Sequence, residues 1–228
     1  MEIQIIQQPD NAVARVTLTA REELIAEAGA MIAMSEFINT STTLRKGKGG
    51  GVFGGIKRMI AGESLFLSIF RSPRHNGEVF LAPQLMGDIL HYQLRKDGLV
   101  VQATSYLASS ENIEMDLGFQ GFKSIFSGES IFWLDLSGYG DILLSSFGGI
   151  YEIDVNGEYI VDTGHIVAFE KSLEFEITKP GASWLGAFFG KEGLVCRFHG
   201  RGKLYCQTHN PTNFGQLIGP LLPSRKSS

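Results

Sequence analysis

Cysteine is nearly absent from this sequence: Cys196 and Cys206 are the only two in 228 residues. Two thiols cannot build the disulfide framework that staples small secreted domains. Proline is also scarce, at seven residues, and no stretch has the polar, proline-rich character of a disordered linker. Charged residues make up only 19% of the chain, and the formal net charge is −4. That balance excludes a surface devoted wholly to nucleic acid. Long apolar runs are missing too. The most apolar stretches, such as ASWLGAFFG at 182–190, are about half the ~20 residues that span a bilayer. Met1-Glu2-Ile3-Gln4 has no charged leader followed by an apolar core. The expectation from these absences is a soluble, cytoplasmic protein with no transmembrane segment.

What is abundant is glycine, 28 residues, and phenylalanine, 16 against two tryptophans. Many glycines among short β-branched and aromatic runs predict strands joined by tight turns. The runs also repeat. EAGAMIAMSEFI (27–38) aligns with QATSYLASSENI (102–113) and DTGHIVAFEKSL (162–173), so that Ala33, Ala108 and Ala168 coincide. AGESLFLSIF (61–70) aligns with SGESIFWLDL (127–136) and more loosely with GKEGLVCRF (190–198), which brings Cys196 onto Leu67 and Trp133. NGEVFLA (76–82), YGDILLS (139–145) and RGKLYCQ (201–207) follow in the same order. Three landmarks in one order, three times, predict units that cannot bury their apolar faces alone and share a core with their neighbours.

The interval from Ala33 to Ala108 is longer than that from Ala108 to Ala168, so the units form a small set of unequal members. The expected organisation is one all-β domain with units at about 1–96, 97–157 and 158–211, followed by a tail at 212–228. Each unit is expected to end in a hairpin, with Gly200-Arg201-Gly202 as the third turn. Counting back from that turn sets Cys196 opposite Cys206. Residues 19–34 score as helix on propensity, but their counterparts read as β, so 27–34 is expected to be a strand. In the tail, Phe214, Leu217, Ile218, Leu221 and Leu222 offer enough apolar surface to dock on the body or on a neighbouring subunit.

The GES of 62–64 with its apolar strand, APQLMGDI (82–89), VDTGHIVAF (161–169) and CQTHNP (206–211) resemble the altered-inheritance-of-mitochondria protein twenty-four family. The resemblance covers nearly the whole chain. It implies three tandem β-sandwich-like repeats, attenuator-like or double-stranded β-helix-like, packed into one compact body. It also implies a homotrimer and no established reaction.

Candidate chemistry thins out under inspection. RKGKGGGVFGGIKR (45–58) looks like a phosphate loop, but Ile56 separates Gly55 from Lys57, and Arg58-Met59 stand where a hydroxyl is needed. The interval from Ala33 to Glu63 is longer than those from Ala108 to Glu129 and from Ala168 to Glu192, so the basic segment is an insertion in the first unit. Arg45, Lys46, Lys48, Lys57 and Arg58 around Val52 and Phe53 read as an interaction loop for an acidic partner or an anionic membrane. Cys196 with His199, and Cys206 with His209, suggest zinc. Strand alternation, however, turns the members of each pair to opposite faces, and no metal or cofactor is expected. Gly62-Glu63, Gly128-Glu129 and Glu192-Gly193 recur as a structural motif at strand entrances.

The function expected from these readings is a non-enzymatic, homo-oligomeric β scaffold that binds a protein or a membrane surface. The alternatives are a nucleic-acid-binding ring, on fold analogy, and a small-ligand sensor.

Overall fold

The computed structural model describes residues 1–44, 66–117, 132–178 and 194–223. After β1 (Glu2–Ile6) come β2 (Val13–Leu18), β3 (Glu23–Glu27), β4 (Met31–Met34), β5 (Asn39–Leu44), β6 (Phe66–Arg71) and β7 (Gly77–Leu81). The next set is β8 (Ile89–Leu94), β9 (Leu99–Gln102), β10 (Tyr106–Ser110), β11 (Ile113–Leu117), β12 (Trp133–Gly138) and β13 (Gly140–Ser145). The last comprises β14 (Ile150–Asp162), β15 (Ile166–Glu170), β16 (Leu173–Thr178) and β17 (Val195–Gln207), and the chain then enters helix α1 (Pro211–Ile218).

Among the described residues these strands form three sheets. One has the order β1-β2-β7-β4 and the second β5-β6-β3-β10-β13-β8. The third runs β11-β12-β9-β15-β17-β14, with β16 also on β17. One pattern of pairing recurs along the chain. β4 lies on β7, β10 on β13 and β15 on β17, each with a bulge just before the aligned alanine. β3 lies on β6, β9 on β12 and the second half of β14 on the first half of β17. The sets are stitched by β10 on β3 and β15 on β9.

Three expectations from the sequence are corrected. First, 27–34 is not one strand. β3 ends at Glu27, Ala28–Ala30 turn with Gly29 at φ +93°, and β4 starts in a different sheet. Second, the expected hairpins are absent. β6 and β7 belong to different sheets, as do β12 and β13, so the chain between them changes sheets without folding back. In the third set β17 runs through as one strand of 13 residues, paired along its length with β14. Glycines with positive φ serve a bend in an extended chain as well as a reversal, and alternation looks the same in both. Third, Cys196 therefore pairs with Val161 and Cys206 with Tyr151, at opposite ends of β17. They are separated by about 30 Å of strand at ~3.3 Å per residue. The ladders also shift the alignment by one residue: Glu27 faces Leu67, Gln102 faces Trp133 and Asp162 faces Val195. Val195, not Cys196, occupies the place of Leu67 and Trp133.

Packing explains why the sets hold together. β7 buries alternate residues (Gly77, Val79, Leu81) while β10 is buried throughout. Ile89, Leu107, Ala108 and Leu143 join the core of the first set. Val167, Ala168 and Tyr205 join that of the second, and Val100 and Trp133 that of the third. Each core thus draws on more than one set, the second on all three through Ile25 and Leu67 of the first, so each set depends on its neighbour for burial worth about 1.5–3 kcal/mol per large side chain. The third core is aromatic: Phe169 lies 4.6 Å from Phe175, 5.1 Å from Phe198 and 5.4 Å from Trp133 between ring centroids.

Candidate functional site

β10 and β15 each carry a strand on both sides: β3 and β13 for the first, β9 and β17 for the second. Their counterpart β4 carries only β7, and among the described residues nothing pairs with its other edge. β3 and β9 likewise have two neighbours each, whereas the second half of β14 has only β17 among those residues. The chain thus ends in two open edges of complementary kind. Their exposure follows from this. All four residues of β4 are exposed, Ile32 at 57%. Tyr159 and Ile160 on β14 are exposed as well. Apolar open edges of this kind are templates for pairing with another chain.

The register at the stitched junctions is fixed. Ala108 stands opposite Ala26, and Ala168 opposite Val101. Ala33 is the equivalent of Ala108 and Ala168, and Val161 is the equivalent of Ala26 and Val101. The two open edges therefore carry, in Ala33 and Val161, the pair that meets at both internal junctions. A shallow depression lined by Tyr151, Tyr159, Ile160, Asp162 and His165 runs along the β14 edge.

A separate cleft of about 180 Å³ lies where the three sets meet. Glu27 comes from the end of β3, Gln84 and Leu85 from the link after β7, Ser105 from the turn before β10, Ser145–Phe147 from the link after β13, and Gln207 from the end of β17. Gln84 Nε2 donates to Glu27 Oε1 at 3.4 Å. Burial pushes the Glu27 carboxyl up to about 6, because removal from water penalises the charged form. Gln207 locks one wall, its Oε1 accepting from Phe147 N at 2.8 Å and its Nε2 donating to Gly164 O at 2.9 Å.

Beside the cleft lies an apolar rim. Asn210 caps α1, its Oδ1 accepting from Thr212 N and Asn213 N, with Pro211 in the first turn. The Phe214 ring packs on the body, its centroid 5.1 Å from that of Phe147. Leu217 and Leu221 project at 71% and 81% exposure, Leu222 follows them, and Met86 in the link after β7 is exposed too.

The interaction-loop residues Arg45, Lys46, Lys48, Val52, Phe53, Lys57 and Arg58 lie outside the described residues, as do Gly62, Glu63, Gly128, Glu129, Glu192 and Gly193. What is placed is the base of that loop. Leu44 pairs with Phe66, whose carbonyl accepts from Ala28 N, so the loop departs close to Glu27. The two thiols are core groups in the third cluster. Burial raises both, Cys206 to about 12, with a hydrogen bond from Tyr151 opposing the rise. His199 sits 3.6 Å from Glu158, outside that core, and His209 hydrogen-bonds Thr208 at 2.8 Å. No group of three His, Cys, Asp or Glu suited to a metal occurs among the described residues. No helix among them is long and apolar enough to cross a membrane.

The open edges and the cleft were hidden in the sequence. Met31-Ile32 reads as core, and Glu27 looks like one more acid in a helix-like stretch. Only pairing between distant parts of the chain reveals either.

Comparison with other proteins supports the family indicated by the motifs. An uncharacterized protein of Streptococcus pyogenes serotype M6 is 29% identical over 205 residues, covering 87% of this chain and 82% of that one. The crystal structure of a Streptococcus pyogenes protein superposes with a TM-score of 0.79 at 24% identity, covering 97% of this chain and 99% of the other, a likeness of fold. The family described as Mitochondrial biogenesis AIM24 matches residues 3–209, and the chain belongs to that family.

Proposed function

We propose that the protein is a non-enzymatic scaffold that assembles head to tail with copies of itself, the open edge of β4 in one copy pairing with the second half of β14 in the next. The observation that carries this reading is the recurring ladder. The strands equivalent to β4 and to the second half of β14 are paired with each other at both internal junctions. A head-to-tail contact between unlike edges makes a ring if its rotation closes. The homotrimer implied by the family resemblance fits such a ring.

Assembly places the rim of every copy at an equivalent position, together with the base of the basic segment 45–58. Exposed apolar side chains together with a segment carrying five cations suit an acidic surface, and several copies convert a weak contact into an avid one. Among the described residues nothing in the geometry favours nucleic acid.

The register supplies the test. With Cys196, which faces Val161, replaced by Ser, Ala33→Cys and Val161→Cys in one chain should crosslink between copies under mild oxidation, giving covalent trimers, and light scattering on the unmodified protein should return three times the chain mass. Ala33→Cys with Glu158→Cys, which is out of register, should not crosslink. A monomeric mass at micromolar concentration, or equal crosslinking of both pairs, would defeat the proposal.

A further inference from the structure

We infer that the cleft at the meeting point of the three sets is a binding site for a small, protonated organic amine. Its volume, about 180 Å³, lies below the ~300–1,000 Å³ of pockets for drug-sized ligands, so the ligand is small.

The chemistry follows from which hydrogen-bonding groups remain unused. Gln207 has both ends of its amide engaged. Ser146 Oγ donates to Gly148 O at 2.7 Å and accepts from Asp88 N at 3.2 Å, and Ser145 donates to Ser105 O at 3.5 Å, so both hydroxyl protons are engaged. Glu27 offers carboxylate oxygens, of which one accepts from Gln84. Thr104, Ser105 and the second N–H of Gln84 leave donors on the lining as well, but the one charged group among the lining residues is the Glu27 carboxylate, so a guest that donates to it is favoured. Glu27 is partly withdrawn from water and has no ion pair among the described residues, so a cationic donor fits better than a neutral one. Phe147 lines the same wall, its ring packed against Phe214 and His209. The same acceptors repel phosphate, which separates a free amine from a phospholipid head group of similar amine chemistry.

This inference does not depend on the edge pairing, because every lining residue belongs to one chain. Binding by residues from all three sets also predicts stabilisation, since the guest favours the state in which they meet.

Ethanolamine serves as the probe, with the full-length chain at pH 8 followed by thermal denaturation and titration calorimetry. The expected result is one site per chain and a saturable rise in Tm, about 3–6 °C at ten times Kd. Ethylene glycol, the neutral analogue, should give no rise, and glycerophosphoethanolamine should bind more weakly than ethanolamine. Glu27→Gln should abolish the response. Gln84→Lys, which places a cation beside the carboxylate from an exposed link, should abolish it as well. Absence of an ethanolamine response in the unmodified protein, an equal response to ethylene glycol, or an undiminished response in either variant would overturn the site. Tighter binding of glycerophosphoethanolamine would overturn the free-amine assignment.

Discussion

Gly157 stands directly opposite Gly200 in the ladder of β14 and β17, and both have positive φ, +109° and +114°. This is where the ribbon must bend so that its first half serves one neighbour and its second half another. A side chain meets open space at Gly157 and mild crowding at Gly200. A Cβ at Gly157 touches nothing within 4 Å, and one at Gly200 comes within 3.3 Å of Ser172 O. The constraint is therefore conformational. Gly157→Ala and Gly200→Ala should each cost about 1–3 kcal/mol. The double variant should cost less than the sum, because relaxing the bend at one glycine relieves its partner. Chemical denaturation of the three variants provides the check, and strict additivity would mean that the two glycines bend independently.

Glu27 should give the stability curve a recognisable pH signature. Its folded-state pKa, about 6, lies above the ordinary value of 4.5. Between those values the folded state holds the proton more tightly than the unfolded chain, so stability falls as pH rises through the interval. The penalty is absent below about 4.5 and complete above about 6. A rise of this size corresponds to at most about 2 kcal/mol, and partial exposure reduces it to about 1 kcal/mol or less. Glu27→Gln should therefore raise stability by that amount at pH 8 and leave it unchanged at pH 4. Denaturant midpoints at the two pH values test this, and equal gains at both would show that the carboxylate is not desolvated.

The sequence was most readable where burial and spacing coincide. Ala33, Ala108 and Ala168 align by their apolar neighbours and sit after the same bulge in three ladders. It was least readable where one local pattern serves two topologies. Glycine-punctuated alternation at 138–140 and 200–202 fits a hairpin as well as a strand passing between sheets. What decides between them is the pairing partner, which in both cases lies well upstream, at Leu94 for Gly140 and at Gly157 for Gly200. The cleft was invisible for a related reason. Ser145, Ser146 and Gln207 look like ordinary polar ends of strands, and only their convergence with Glu27 makes a site.

The cysteines offer a direct view of global unfolding. Both are fully buried, and burial keeps both thiols protonated at neutral pH. A thiol reagent should modify neither residue in the native protein and both after denaturation. The slow native reaction should follow the opening of the third core. No intramolecular disulfide should form under mild oxidation, because the residues sit at opposite ends of β17. Rapid labelling of Cys206 alone would show instead that β14 peels away from β17 locally at Tyr151.

The last prediction concerns the rim. Leu217, Leu221, Leu222 and Met86 expose large apolar surface, while Arg45, Lys46, Lys48, Lys57 and Arg58 follow the end of β5, which lies across β6 from Glu27. Each basic residue near an anionic bilayer contributes about 1 kcal/mol, an attraction that salt screens. The apolar contribution resists salt. The two can therefore be separated on vesicles containing anionic lipid. Replacing the five cations with Gln should weaken binding strongly at low salt and little at high salt. Leu217→Ser with Leu221→Ser should weaken it by a similar factor at both. Neither set belongs to β4 or β14, so oligomer mass and Tm should stay unchanged. Vesicles of zwitterionic lipid alone should bind poorly, since they lack the charge that the basic segment seeks. If the cation variant loses the oligomer, the segment belongs to the subunit contact. If neither set alters vesicle binding, the acidic surface is not a bilayer, and a protein partner takes its place.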